Sequence, residues 1–159
     1  MDEAGVLTNI AGVAVHDAWA SYDGYEQATH ALCNSHLVRK LIAVTDYHQA
    51  NPPGSGGVVP GTSLSSKDWC WAQQVSDGLL GLKRLSDSGQ VPEELLQQRR
   101  ASILHVAQIG LADSPPGKLG AKHRALARRI IRRIDDYLRF ATDMRWGSPT
   151  TSPRGISGW

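Results

Sequence analysis

The chain has 159 residues, of which 41% are hydrophobic and 20% charged, with a net charge of +2. Such a make-up belongs to a globular chain with material for one core and excludes a fibrous or disordered class. No run of about 18 apolar residues occurs, so no helical membrane span is encoded. The start, Met1-Asp2-Glu3, lacks a basic-then-apolar signal pattern, so a cytoplasmic chain is expected. Cys33 and Cys70 are too few for a disulfide framework and read as cytosolic thiols. Charge is uneven: between Lys118 and Arg145 nine Lys/Arg face three acids, an asymmetry that permits a polyanionic partner.

Taken in order, a short helical piece around Glu3 to Asn9 precedes Gly12–His16, G-V-A-V-H, which reads as a strand ending at Asp17. Asp17 opens a turn or short helix carrying Trp19, Tyr22 and Tyr25, with Gly24 as breaker. His30–Cys33 suits a second short strand. Asn34 is placed to cap a helix running to about His48, with Leu37, Leu41 and Val44 on one face and Val38, Ile42 and Thr45 beside them. Residues 49–66, rich in Pro, Gly and Ser, read as a flexible loop. Helices are expected over Asp68–Asp87 and from Pro92 to about Ile109, stopping at Gly110. Asp113–Gly120 reads as a further breaker.

The clearest periodicity runs from Ala121 to about Thr142. At 100° per residue, Leu126, Ile130, Ile134, Tyr137 and Leu138 share one arc, while Lys122, Arg124, Arg128, Arg129, Arg132, Arg133 and Arg139 occupy the rest. One face packs on a core. The other is either a solvated arginine face or a DNA-phosphate contact through Arg128, Arg129, Arg132 and Arg133.

Two constellations carry chemistry. Asp17, at a strand end, is placed to hold a divalent cation, because Mg²⁺ prefers oxygen ligands; a strand-end Asp also serves as a turn or helix cap. His30, Cys33 and His36 form H-x-x-C-x-x-H, a zinc-compatible set of ligand types. A closed zinc site takes four ligands, and the remaining ones, Cys70 with His105 or His123, have no zinc-site spacing. A packed Cys beside a hydrogen-bonded His is the alternative. No Ser/His/Asp elbow, P-loop or G-x-G-x-x-G is present, and Gly54-Ser55-Gly56-Gly57 lacks the following helix that a phosphate cradle needs.

The stretch Gly12–Leu41, G-V-A-V-H-D-A-W-A-S-Y…H-A-L-C-N-S-H-L-V-R-K-L, resembles the central domain of the insertion-sequence sixty-six family of DDE transposases. In that family a strand ends in the second catalytic Asp within V-x-D-x-W-x-x-Y, followed by H-A-x-C-x-x-H-x-x-R-x-L. Asp17 matches the Asp, Trp19 and Tyr22 match the aromatics, and Cys33, His36 and Arg39 match the later element. Gln98-Arg99-Arg100…Gly110 and Leu138–Arg145, L-R-F-A-T-D-M-R, continue the resemblance, which spans about residues 5–145.

The resemblance implies an α/β fold leaning mostly α, with an incomplete RNase H-like core and a helical insertion. Residues 1–48 would hold the partial core with Asp17, 49–66 the loop, 67–111 the insertion, 121–143 the final core helix and 144–159 a disordered tail. It implies DNA as partner, with other transposase chains as further candidates, and Mg²⁺ or Mn²⁺ as cofactor. Three carboxylates would hold two metals that activate water or a 3′-OH for in-line attack on a phosphodiester. The first catalytic Asp of the family lies upstream of the region equivalent to residue 1, and its P-x-N-N-x-A-E-R element, with the catalytic Glu, should follow Arg145. Residues 146–159 instead read W-G-S-P-T-T-S-P-R-G-I-S-G-W. Reading their codons one base earlier permits V-G-F-P-N-N-L-A-E-R-D-I-R-M, so a frameshift at Arg145 or Trp146 is expected. A chain lacking both partners of Asp17 is expected to be inactive alone; a non-catalytic DNA-binding module is the alternative.

Overall fold

The computed structural model describes residues 12–18, 20–24, 27–51 and 69–142. The helical piece at Glu3 to Asn9, Trp19, Tyr25, most of the loop at 49–66 and the tail at 144–159 lie outside the described residues. So do Asp143, Met144 and Arg145 of the L-R-F-A-T-D-M-R run.

Strand β1 spans Val13–His16 and β2 spans Thr29–Leu32. They pair in parallel, with Val13 opposite Thr29 and His16 opposite Leu32. Parallel strands cannot be joined by a tight hairpin, and residues 17–28 make the crossover, with a 3₁₀ turn at Ala20–Gly24. The ladder is extended at both ends: Thr29 N–H donates to Gly12 C=O at 2.9 Å and Cys33 N–H to His16 C=O at 2.8 Å. The other elements among the described residues are helices: α1 (Asn34–Ala50), α2 (Trp71–Ser88), α3 (Glu93–Ala112), α4 (Gly117–Arg132), α5 (Ile134–Tyr137) and α6 (Arg139–Thr142). The described chain is therefore mostly α with a small parallel sheet, in keeping with an α/β class leaning to α.

Among the described residues one apolar cluster joins β2 to the six helices. Leu37, Leu41 and Val44 of α1 recur at i, i+4 and i+7 and are buried. Ile42, expected beside them, is instead 51% exposed. From α2 come Trp71, Val75, Leu79 and Leu82, all buried. Helix α2 packs on both α1 and α3, and α3 packs on α4. Burying a Leu-sized side chain contributes about 1.5–3 kcal/mol, so this shared cluster outweighs any single polar contact described below.

Four local expectations need correction. Asn34 does not cap α1. Its Nδ2 donates to the Tyr137 carbonyl at 3.0 Å, and Cys33 stands at the cap position without a side-chain cap bond. Pro92 is the cap residue of α3 and not its first residue, and the helix passes through Gly110 to Ala112. Helix α4 begins at Gly117, inside the expected breaker. Gly120 is buried within its first turn because the Pro115 carbonyl lies against it, where a Cβ would collide.

The fourth correction concerns the last helix, which is not continuous. Arg133, at φ −123° and ψ 27°, and Leu138, at φ −91° and ψ 2°, divide it into α4, α5 and α6. The hydrogen bonds nonetheless carry on across the first break, from Arg133 N–H to Arg129 C=O and from Tyr137 N–H to Arg133 C=O. At this bend Ile134, Tyr137 and Leu138 keep to the expected stripe and are buried, and Phe140, which lies outside that stripe, is buried as well. The bend also leaves the Tyr137 carbonyl available to Asn34.

Candidate functional site at the end of the parallel strands

Asp17 directly follows β1 and is exposed. Ala18, next to it, has a left-handed φ of 68°. That conformation costs a residue with a Cβ about 1 kcal/mol and turns the chain sharply off the strand end. Under Asp17 lies a buried histidine: His16 Nε2 is 3.1 Å from His30 Nδ1, one ring donating and the other accepting. The His16 ring also stands 5.0 Å from the Tyr22 ring, tilted by 38°. The parallel register makes this possible, since His16 and His30 sit on adjacent strands two positions apart in pairing.

Across from the strand end, Lys40 of α1 is within electrostatic reach of Asp17. Burial, then the Arg129 guanidinium, pulls the Lys40 ammonium below its ordinary value, while Asp17 pulls it upward. Helix α1 thus places Lys40 within charge range of both the strand-end carboxylate and a cation of α4. Neither Lys40 nor His16 stood out in the sequence. The usable signal was the register of α1, where His36 and Lys40 are four residues apart and so share a face.

The H-x-x-C-x-x-H residues separate in space. His30 turns to His16, whereas His36 Nδ1 lies 3.2 Å from Cys33 Sγ. Arg39 is exposed on α1. The more distant thiol, Cys70, is buried and donates to Thr45 Oγ1 at 3.9 Å. His105 is exposed, and buried His123 packs edge-on against Tyr47 at 5.6 Å. Burial holds the His123 imidazolium below its usual range. Cys70 and His123 both line a cavity of about 310 Å³ between α1, α2 and the α3–α4 connection.

The basic helix has a mixed face. Arg128 and Arg132 are exposed. Arg133 Nε donates to Asp136 Oδ2 at 2.7 Å. Arg129 turns toward Lys40 and toward Tyr137, whose hydroxyl is held above its ordinary value by burial, with Arg129 opposing.

Among the described residues no group of three or more His, Cys, Asp or Glu side chains is arranged to hold a metal ion. A lone carboxylate supplies too few oxygens to displace the hydration shell of Mg²⁺. Among the described residues Asp17 has no second or third carboxylate grouped with it.

The model of the family described as "Transposase IS66 family" matches residues 3–147. The chain belongs to the IS66 transposase family. Within that match lie β1, Asp17, the Cys33–His36 pair and all six helices. Membership supports a DDE-type role in transposition of an insertion sequence, with DNA as substrate. Transposases of the DDE type generally use a divalent metal. No curated protein and no solved structure matches the chain. No helix among the described residues is long and apolar enough to cross a membrane.

Proposed function

We propose that this IS66-family chain carries one carboxylate of a DDE active site, Asp17, on part of an RNase H-like core. In the complete enzyme the set would support metal-dependent phosphodiester cleavage and strand transfer. The observation that carries this reading is the position of Asp17: exposed at the end of a parallel β-strand, on a sharp left-handed turn at Ala18, inside the family match. A carboxylate there meets solvent and substrate while the strand holds its backbone. Residues 1–48 are assigned to the partial core, 49–66 to the loop, 67–111 to a helical insertion, 121–143 to the final core helix and 144–159 to a tail in a shifted reading frame. The family match stops at residue 147, close to the proposed shift at Arg145 or Trp146.

On this reading the described residues do not cleave DNA by themselves, because none of them groups with Asp17 as the carboxylates that would share Mg²⁺ or Mn²⁺ with it. Other transposase chains are the candidate source of the missing groups. Incubating the purified chain with supercoiled and end-labelled DNA in Mg²⁺ or Mn²⁺ tests this; the expected result is no product. Metal-dependent nicking that vanishes in Asp17→Asn would overturn the claim of inactivity. Determining the nucleotide sequence across the reading frame tests the tail, and the expected result is N-N-x-A-E-R in the shifted frame.

A second reading, a non-catalytic DNA-binding module, is favoured by the exposure of Arg128 and Arg132 on one helix. In that case Arg128, Arg129, Arg132 and Arg133 would contact phosphates. Salt-dependent DNA binding without metal separates this reading from a chain that does not engage DNA.

A further inference from the structure

We propose that the groove between α1 and α4, with Lys40, Lys122 and Arg129 around Val44, Leu119 and Leu126, holds one nucleotide of a DNA strand. The phosphodiester would rest on the three cations and the sugar and base on the apolar floor. This inference rests on the DNA-processing reading above and gives the strand a place on the molecule.

Three observations converge on the groove. The first is its size, about 380 Å³, at the small end of the range for ligand pockets and enough for a nucleotide. The second is charge. The residues lining it include three permanent or near-permanent cations and no acid. Like charges held together repel, by about 1 kcal/mol or more per pair at contact distance when partly desolvated. An anion set among them removes that repulsion. Lys40 feels it already, since burial and the Arg129 charge both disfavour its protonated form.

The third observation is the floor. Leu119 is 39% exposed, one of two large hydrophobic side chains that stand out on the described surface. An apolar floor between cations suits an amphipathic anion better than a small hydrated one. A nucleotide has that form, with a flat base and sugar carrying a charged phosphate. Asp17 acts electrostatically on Lys40, so the proposed catalytic carboxylate is within charge range of one groove cation.

The test measures binding of a fluorescent 20-nucleotide single strand, without metal, at two salt concentrations. The variants are Lys40→Glu/Lys122→Glu in the groove and Arg128→Ala/Arg132→Ala on the outer face; all four side chains are exposed, so the fold should tolerate both. Circular-dichroism melts check this, and Lys40→Gln/Lys122→Gln decides the matter if the charge reversal unfolds. The groove variants should weaken binding at least tenfold and reduce the salt slope by roughly 0.7 per lost contact. The outer-face pair should remain near the parent. Parent-like binding by the groove variants, with loss in the outer pair, would overturn the groove and leave the DNA reading intact. No binding by the parent would overturn both. Tighter binding of polyglutamate than of DNA, lost in the groove variants, would assign the groove to an acidic protein segment and overturn the proposal.

Discussion

The indole of Trp71 in α2 fills the space beside the Gly110 backbone in α3. A Cβ built on Gly110 would lie 2.5 Å from Trp71 Cδ2. The glycine is therefore a seat for the ring, and α3 continues through it to Ala112. Gly110→Ala gains helix propensity of about 1 kcal/mol, but must displace a side chain that is only 4% exposed. Overpacking of that kind typically costs about 1–3 kcal/mol, so a net loss of up to about 2 kcal/mol is expected by urea denaturation. A stabilised variant would mean that α2 and α3 separate more easily than their packing implies.

His123 links stability to pH. Burial depresses its pKa below 6.5 in the folded chain, so the unfolded chain binds the proton more readily. Its contribution is complete above the unfolded value. It declines as the pH falls from there through the lower folded value. The parent should thus lose melting temperature between pH 7 and pH 5. His123→Gln should lower stability at pH 7 and flatten this part of the profile. An unchanged slope in the variant would show that His123 is protonated in the folded state or reaches water.

Arg100 of α3 holds Asp135 of α5 through two hydrogen bonds, 2.7 Å from Nε and 3.1 Å from Nη2. The guanidinium lowers the Asp135 carboxyl below its ordinary range, and Asp135 in turn raises Arg100. The carboxylate side chain is 69% exposed, so solvent screens the pair and its worth stays below about 1 kcal/mol. For a depressed acid the contribution is present above the unfolded value near 4 and is lost as the pH falls through the folded one. Asp135→Asn should cost a few tenths of a kcal/mol at pH 7 and nothing near pH 2. Equal effects at both pH values would assign the loss to the amide's packing.

Ile134 opens α5 immediately after the bend and is 3% exposed. Ile134→Asp places a carboxylate in the apolar cluster without a designed partner, at a cost on the order of 3 kcal/mol. Chemical denaturation should show this as a large fall in the midpoint. Parent-like stability would mean that α5 leaves the core readily.

Much of this arrangement was legible in the sequence because it is local. The β-branched run at Val13–Val15, the strand-end position of Asp17 and the i, i+4, i+7 stripe of α1 depend only on near neighbours. The misread features depend on distant ones. Asn34 looked like a cap because the residues around it suit one, yet its partner is the Tyr137 carbonyl, 103 residues away. Gly110 looked like a stop because nothing nearby reveals Trp71. The bend at Arg133 has no proline or glycine to announce it; it accompanies the burial of Phe140, which lies outside the arc shared by Ile134, Tyr137 and Leu138. At the candidate site, the Asp17 position was readable and its neighbour Lys40 was not, since Lys40 and Arg129 meet only where α1 and α4 line one groove.

The two thiols should separate by reactivity. Cys33 is half-buried at the mouth of α1, with its sulfur 3.2 Å from His36 Nδ1 on an exposed ring. Cys70 is 4% exposed and hydrogen-bonds Thr45, whose hydroxyl donates onward to the Leu41 carbonyl at 3.1 Å. The thiolate is the reacting form, and burial away from charge disfavours it. A disulfide reagent should accordingly modify one thiol rapidly in the native chain and the second only on unfolding. Cys33→Ser should abolish the rapid phase and leave the slow one. Cys70 also borders the cavity shared with His123, so its protection reports on that packing. Rapid modification of both thiols in the native chain would show that the α1–α2 contact opens, and His123→Gln should then accelerate the Cys70 reaction further.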